Sequence, residues 1–429
     1  MYNTVNLSIC ANLREVFMKK TILLSCIAAT LCFALGLSAM ALIKGGSAKD
    51  SQAREDVIPE LLNMTDGITV ATKSFYPDHD ALAKKLSDIR YGVENGLLDD
   101  EALLGRLENA KRELEQLGYY YDYVGNTSLT DAEGVIYGAL AAESGPVGGG
   151  AGYSQIYGVG FYDYDYLVND DNEFFAALKR IKPGEMIYLG RNAVVDISDL
   201  QITNFPEGQI PEGIIIASGR DGEGGGTLKM SLDQLKMFAL ASNVRLTGLV
   251  IEGPDGYSHG GDENYFHSSA MEIKGSGIEI DNCEISGFSG AGIIITEGDA
   301  YIHHCYIHHI RGGKDSSGIL VKGGSAKVEY NLFSNCSNAV SVEKGASLEA
   351  TNNVEVGNGS EAMFSIMGDD CSVILKNNTV LGKTLPISLG GVPTEYAVEN
   401  NLFFLNDTQY EEALFYGAEG MLPILDMNK

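Results

Sequence analysis

Tryptophan is absent, proline is scarce at 10 in 429 residues, and basic side chains are outnumbered, with Lys+Arg 30 against Asp+Glu 58. The resulting formal charge of −28 argues against general binding to nucleic acid or to anionic lipid, so a polyanion would need a local basic patch. No Cys-x-x-Cys pair occurs, which leaves a zinc ribbon without ligands. Four cysteines lie beyond the N-terminal region: Cys283, Cys305, Cys336 and Cys371. Their spacing permits disulfides outside the cell but demands none. Glycine, by contrast, is plentiful at 52, and with so little proline it suits many short strands joined by tight turns.

One apolar run stands out, Thr21 to Ile43, behind Met18-Lys19-Lys20. It closes on Ala39-Met40-Ala41, a small-x-small pattern of the kind a signal peptidase cleaves. It is also close to the ~20 residues that span a bilayer, so residues 1–43 are a signal peptide or an uncleaved signal-anchor. Either way the rest of the chain is exported, to the medium or the cell surface, and membrane contact is limited to that segment. A polar stalk follows over 44–77. Residues 78–118 carry helix-period leucines (Leu82, Leu86; Leu103, Leu107, Leu114) on either side of Asn95-Gly96, the pattern of a helical hairpin. A Tyr- and Gly-rich stretch over 119–167 reads as a linker, and 411–429 as a C-terminal cap or tail.

From about Val168 to residue 410 the chain repeats itself. One amphipathic helix (Phe174, Phe175, Leu178, Ile181) precedes a series of short alternating strands: VRLTGLVI, IEIDNCEI, AYIHHCYI, AKVEYNLF and VILKNNTV. The equivalent inward residues are read as Ile280, Ile302, Val328, Leu348, Leu375 and Val398, 20 to 27 residues apart. A second strand recurs between them, beginning at Ala270, Gly292, Gly318, Ala339, Met363 and Pro386. No coil of this length can bury its apolar side alone, but stacking at about 4.8 Å per rung supplies partners, giving a parallel β-helix. Asn282, Asn331, Asn352, Asn377 and Asn400 fall at a bend where side-chain amides can bond along the stack.

These strands, the bend asparagines and the opening stretches LKRIKPGEMIYLG, PEGIIIASGRDGEGGG and NVRLTGLVIEGP resemble the right-handed, pectate-lyase-like β-helix superfamily. The resemblance implies an all-β, right-handed parallel β-helix (pectin-lyase-like). It does not settle activity, because such folds carry lyases, hydrolases and non-catalytic surface proteins.

Four of the seven histidines lie in YIHHCYIHHI, from Tyr301 to Ile310. Alternation turns Ile302 and Ile307 inward and His303 outward, between Asp281 and Glu329 on neighbouring rungs, a possible proton relay on an exposed sheet. His304 takes the bend position that Asn282 holds one coil earlier. His308 and His309 open a loop. The loops at that corner run long, short, long on successive coils, which predicts a groove with Ser286 and Ser289 on its floor. One wall offers His259, Asp262, Glu263 and His267; the other offers His308, His309, Arg311, Lys314 and Asp315. Lys274, Thr296 and Lys322 face outward on the following strand.

The resemblance implies that an acidic polysaccharide lies along this corner. β-Elimination from a uronate needs a cation on the carboxylate, a base and an acid. By position on the coil, the resemblance matches Lys322, Lys274 and Arg311 to the cationic and basic roles, and His267 or His309 to proton donation. His259, His308, Lys314, Ser286, Ser289 and Thr296 would contact substrate. Glu272 with Asp262 and Glu263 offers the oxygen ligands that Ca²⁺ takes. A two-histidine metal site, from His308 or His309 with His259 or His267, is a further reading. The hydrolase reading points to Gly368-Asp369-Asp370-Cys371, but companion Asn-Thr-Asp and Gly-His-Gly motifs are missing and a turn role is expected. Cys283 and Cys305 share a coil position, and stacked side chains run parallel, so thiols are expected there rather than a bridge. Two readings remain: a lyase acting on an acidic glycan, or a surface β-helix that binds glycan or protein without catalysis.

Overall fold

The computed structural model describes residues 128–158, 160–198, 209–220, 225–231, 235–254, 268–357, 361–382, 385–405 and 415–417. The expected signal segment, stalk and helical hairpin lie outside these residues. Among the described residues no helix is long and apolar enough to cross a membrane.

The described chain coils through three parallel sheets of ten, nine and nine strands, and each strand pairs with its counterpart one coil away. A representative coil is Ile278–Asp281 in the first sheet, Glu284–Phe288 in the second and Ala291–Ile295 in the third. The next coil repeats it with Asp299–His303, Tyr306–Ile310 and Ser317–Val321. Period-two alternation sends one set of side chains into the tube. Leu246, Ile280, Ile302, Val328, Ala350 and Leu375 form one inward column, in continuous register. Ala350, not Leu348, is therefore the equivalent of Val328. Ile251, Ile285, Ile307 and Phe333 form a second column, fully buried. Burying each such side chain stabilises by about 1.5–3 kcal/mol, which is how a tube this thin holds together.

The N-terminal end of the tube is closed by α1 (Asp171–Leu178). Asp170 caps it by accepting a hydrogen bond from the Glu173 N–H, and Phe174, Ala177 and Leu178 are buried. This covers an open sheet end that would otherwise invite pairing.

The bend between the first and second sheets repeats one conformation. Asn282, His304, Tyr330, Asn352, Asn377 and Asn400 all have positive φ, between 50° and 56°. The amide ladder sits one residue further on. Asn331 donates to Asn353 Oδ1, Asn353 to Asn378 and Asn378 to Asn401, each through its side-chain amide. The bend asparagines Asn282, Asn352, Asn377 and Asn400 thus supply backbone conformation rather than the ladder; Asn331 alone of the expected set belongs to it. Each ladder amide also donates to the inward carbonyl one coil back: Asn331 to Ile302, Asn353 to Val328, Asn378 to Ala350. Cys305 and Cys283 hold the ladder position in the earlier coils, with thiols aimed at the carbonyls of Ile280 and Leu246. Both are buried and free, as are Cys336 and Cys371.

The stretch read as a linker is a strap laid along these bends, running opposite to the progress of the coils. The Gly138 N–H meets the Asn400 carbonyl, Leu140 N–H the Asn352 side chain, Gly148 N–H the Tyr330 carbonyl and Gly150 N–H the Asn282 side chain. Ala139 and Val147 pack on Tyr306, Leu332, Val354 and Val356, outward residues of the second sheet. Gly149 could be no other residue here: its φ is +66° and a Cβ would lie 2.2 Å from the His304 carbonyl oxygen.

Candidate functional site

All four histidines of the cluster are buried, between 2% and 9% exposed. The strap and the neighbouring coils enclose them, so the expected exposed relay is a covered one. His303 does stand in register between Asp281 and Glu329. Its hydrogen-bond partner is a different carboxylate, Glu279, with Nε2 3.3 Å from Oε1. Glu329 instead accepts from the Tyr301 hydroxyl and pairs with Lys327.

The peptide Tyr-Ile-His-His occurs twice in succession, and its two copies adopt the same arrangement. Tyr301 stacks on His303 at 4.1 Å and Tyr306 on His308 at 4.2 Å. The Nδ1 atoms of His303 and His304 are 3.0 Å apart, and those of His308 and His309 2.7 Å. His304 and His309 both have positive φ, 50° and 53°. His303 reaches Glu279, and His308 reaches Glu284 at the same 3.3 Å. Each glutamate also faces an arginine: Arg245 is 3.6 Å from Glu279, and Arg220 is 3.5 Å from Glu284. The hydrogen bond from His303, then the Arg245 charge, hold Glu279 below the usual carboxylate range against its burial. Burial would raise Glu284, but His308 and Arg220 outweigh it and keep that carboxyl low as well. Burial depresses His304 to about 4, and a charge on the neighbouring His303 would lower it further.

Asp281 is the fixed point beneath the first copy. It is fully buried and is held by Arg245 through Nε (2.8 Å) and a second guanidinium nitrogen (3.0 Å), by the Thr247 hydroxyl and by the Tyr153 hydroxyl of the strap. Glu279, Asp281 and His303 bring potential ligand atoms within 4.8 Å of one another. They are a poor fit for a cation, since Arg245 already supplies the positive charge and the Asp281 oxygens are committed.

Several of the groove candidates among the described residues are held by other partners. His308 and His309 belong to the strand Tyr306–Ile310 rather than to a loop. Arg311 is turned onto Asn335, donating to its backbone carbonyl and to Oδ1. Ser289 is fully buried in a closed set with Ser268 and Ser316, so it is no groove floor; Ser286 is half-buried. Lys314 is exposed. Glu272 pairs with Lys236 and Lys274, which occupies the carboxylate expected to bind Ca²⁺. Lys322 faces Glu343 at 4.0 Å. The Thr296 hydroxyl donates to the Ile273 carbonyl. His259, Asp262, Glu263 and His267 lie outside the described residues. On the third sheet Leu320 is 2% exposed and Ile294 half-buried, so apolar stacking against a sugar has little surface there. Asp370, at φ 60°, and Asp369, whose carboxylate accepts the Val392 N–H, form a turn.

Sequence reading missed Glu279, Glu284, Arg245, Arg220, Tyr153 and Ser144. The doubled Tyr-x-His-His peptide was the available signal for the first two, since a repeated outward histidine asks for a repeated partner one rung away.

Residues 242–403 match the family model described as "Right handed beta helix region". No curated protein matches the chain in sequence. Among solved structures, an alginate lyase from Paenibacillus sp. str. FPU-7 is similar over 56% of this chain and 98% of that one, at 12% identity and a TM-score of 0.34, too slight a likeness to carry an argument. With that family match inside its three-sheet coils, the described chain is a right-handed parallel β-helix.

Proposed function

We propose that this protein is an exported β-helix that holds an acidic polysaccharide without cleaving it. The observation behind this reading is the separation of the candidate cations. β-Elimination needs a neutralising charge, a base and an acid at one sugar. Arg311 and His309 precede the third strand of their coil, whereas Lys274 and Lys322 follow theirs. A five-residue strand at about 3.3 Å per residue puts roughly 16 Å between those two edges. Binding has weaker demands. Lys274, Thr296 and Lys322 follow residues in direct register, Ile273, Ile295 and Val321, so they line one edge on successive coils. A polymer lying along the axis would meet a hydroxyl between two cations about 10 Å apart. Export rests on the apolar run and the Ala-Met-Ala ending of the N-terminal segment.

The test is binding of pectate, alginate and glycosaminoglycans to the full chain, with and without Ca²⁺, alongside ultraviolet absorbance for unsaturated uronate. The expected result is salt-sensitive binding to one polymer, weakened about fivefold in Lys274→Ala or Lys322→Ala, with no rise in absorbance. A rise that Lys322→Ala abolishes would make the protein a lyase and overturn the non-cleaving reading.

A further inference from the structure

The first histidine pair ends on a hydroxyl. Ser144 of the strap is half-buried, and its Oγ lies 3.1 Å from His304 Nε2. From there the contacts run on without a break, His304 Nδ1 to His303 Nδ1 and His303 Nε2 to Glu279. We propose that Ser144 is an activated nucleophile that takes the acyl group of a small O-acyl ester, with His304 as its base and His303 and Glu279 as positioning residues.

The direction of the hydrogens follows from the far end. Glu279, ionised beside Arg245, can only accept, so His303 Nε2 carries the proton. In the neutral ring His303 Nδ1 is then an acceptor, and His304 Nδ1 must donate to it. In that tautomer His304 Nε2 turns its lone pair toward Ser144, whose hydroxyl donates, while a backbone hydrogen bond with Gly145 favours the protonated ring that results once the Ser144 proton has moved. A serine, an imidazole that accepts its proton, and a third group that orients the imidazole are the parts nucleophilic acyl transfer requires. In the step itself the Ser144 Oγ bonds to the acyl carbon and its proton passes to His304 Nε2. The ester C–O bond then breaks, and the departing alkoxide takes the proton from Nε2. Water, deprotonated by the same nitrogen, releases the acid and restores Ser144.

The surroundings suit an ester on a polar carrier. The Tyr330 ring lies 5.0 Å from the His304 ring, and Tyr330 also lines an open depression of about 470 Å³ between strap and bends whose lining does not extend to Ser144 or His304. Ile136 and Leu140 give that depression an apolar side; of its three asparagines, Asn352 accepts from the Leu140 N–H and Asn377 donates to the Ile136 carbonyl, which leaves the Asn400 amide. Asn400 Oδ1 is buried there with no hydrogen-bond partner among the described residues. An acylated sugar hydroxyl matches that mixture of amide and apolar wall. The N–H groups of Gly145, Gly148, Gly149 and Gly150 are all committed, to Ala142, Tyr330, Pro146 and Asn282. An oxyanion at Ser144 finds no donor among them, and one such donor is worth about 10²–10³ in rate. Acylation is therefore the step to look for, rather than fast turnover.

The experiment is labelling of the full chain with a fluorophosphonate probe at neutral pH, with the adduct located by peptide mass spectrometry. The expected result is one adduct, on the peptide holding Ser144, absent in Ser144→Ala and formed at least about 100-fold more slowly in His304→Asn. Asparagine occupies the equivalent left-handed position in four other coils, so His304→Asn keeps the backbone, and matching thermal melts would verify it. Glu279→Gln should lower the pH midpoint of labelling, which a merely structural carboxylate would leave unmoved. Labelling of Ser144 at the same rate in wild type and His304→Asn would overturn the proposal, as would a wild-type chain that labels elsewhere or not at all. The label is independent of glycan binding, so failure of either reading leaves the other standing.

Discussion

The two Tyr-Ile-His-His segments share a sequence, a stacked tyrosine, a histidine pair and a Glu–Arg anchor, yet they end differently. His304 finds the Ser144 hydroxyl of the strap, whereas His309 Nε2 finds the Asn335 amide at 3.4 Å. An amide N–H gives a hydrogen bond but no nucleophile. Beneath them the contrast widens. The first copy rests against Asp281, Arg245, Thr247 and the strap's Tyr153, and the second against Arg220 and Glu284. A short peptide can thus set a local arrangement twice, while the groups arriving from elsewhere in the chain decide what each arrangement can do.

Asp281→Ala removes the support that the second copy lacks. It strands Arg245 and Tyr153 without their buried partner and should cost about 3–5 kcal/mol in a denaturant melt. Acid should come next, and it acts on the first copy through His304. Its folded value of about 4 lies below the ordinary 6.5. Between those values the unfolded chain binds a proton that the folded chain refuses, so stability falls as pH drops. The full contribution, up to about 3 kcal/mol, is present above about pH 6.5 and lost by about pH 4. Glu279 and Glu284 act in the same direction further down, losing their contribution as pH falls below the usual carboxylate range. Melting temperature against pH should therefore decline through the upper window in wild type and stay flatter there in His304→Asn. Gly149→Ala is expected to cost about 1–3 kcal/mol and to free the strap, read as faster proteolysis within 140–157 while the coils remain folded. The smallest effect belongs to the second copy. His309→Asn keeps a residue suited to positive φ and should change stability by no more than about 1 kcal/mol.

Much of the tube was legible because alternation and a repeat near 23 residues leave few other ways to bury Ile and Val. The ladder lies one residue beyond the bend asparagines for a physical reason. Asn352-Asn353, Asn377-Asn378 and Asn400-Asn401 are doublets in which one amide sets the backbone and the next bonds along the stack. The pairs Asn282-Cys283 and His304-Cys305 hold the clue, since only the first member of each has positive φ. Leu348 draws the eye by size, but register pairs Val328 with Ala350 and sets Leu348 opposite Ala326. The candidate site was far less legible. Alternation gives the outward direction of His303, but its cover includes Tyr153, 150 residues earlier, in a stretch whose glycines suggest a linker. Arg311 and Lys274 are matched by position on the coil; the engagement of Arg311 with Asn335, 24 residues on, is long-range packing that periodicity does not carry, whereas Lys274 pairs locally with Glu272.

Ser144 faces a base only if the hydrogens run from Ser144 through His304 and His303 to Glu279. Nitrogen-15 NMR of the imidazoles reports that direction directly, and seven histidines make a tractable spectrum. At neutral pH the account predicts that His304 is a neutral ring with its proton on Nδ1 and a bare Nε2, and that His303 is protonated on Nε2. A His304 that carries its proton on Nε2 would contradict it, because Ser144 would then face a donor instead of a base.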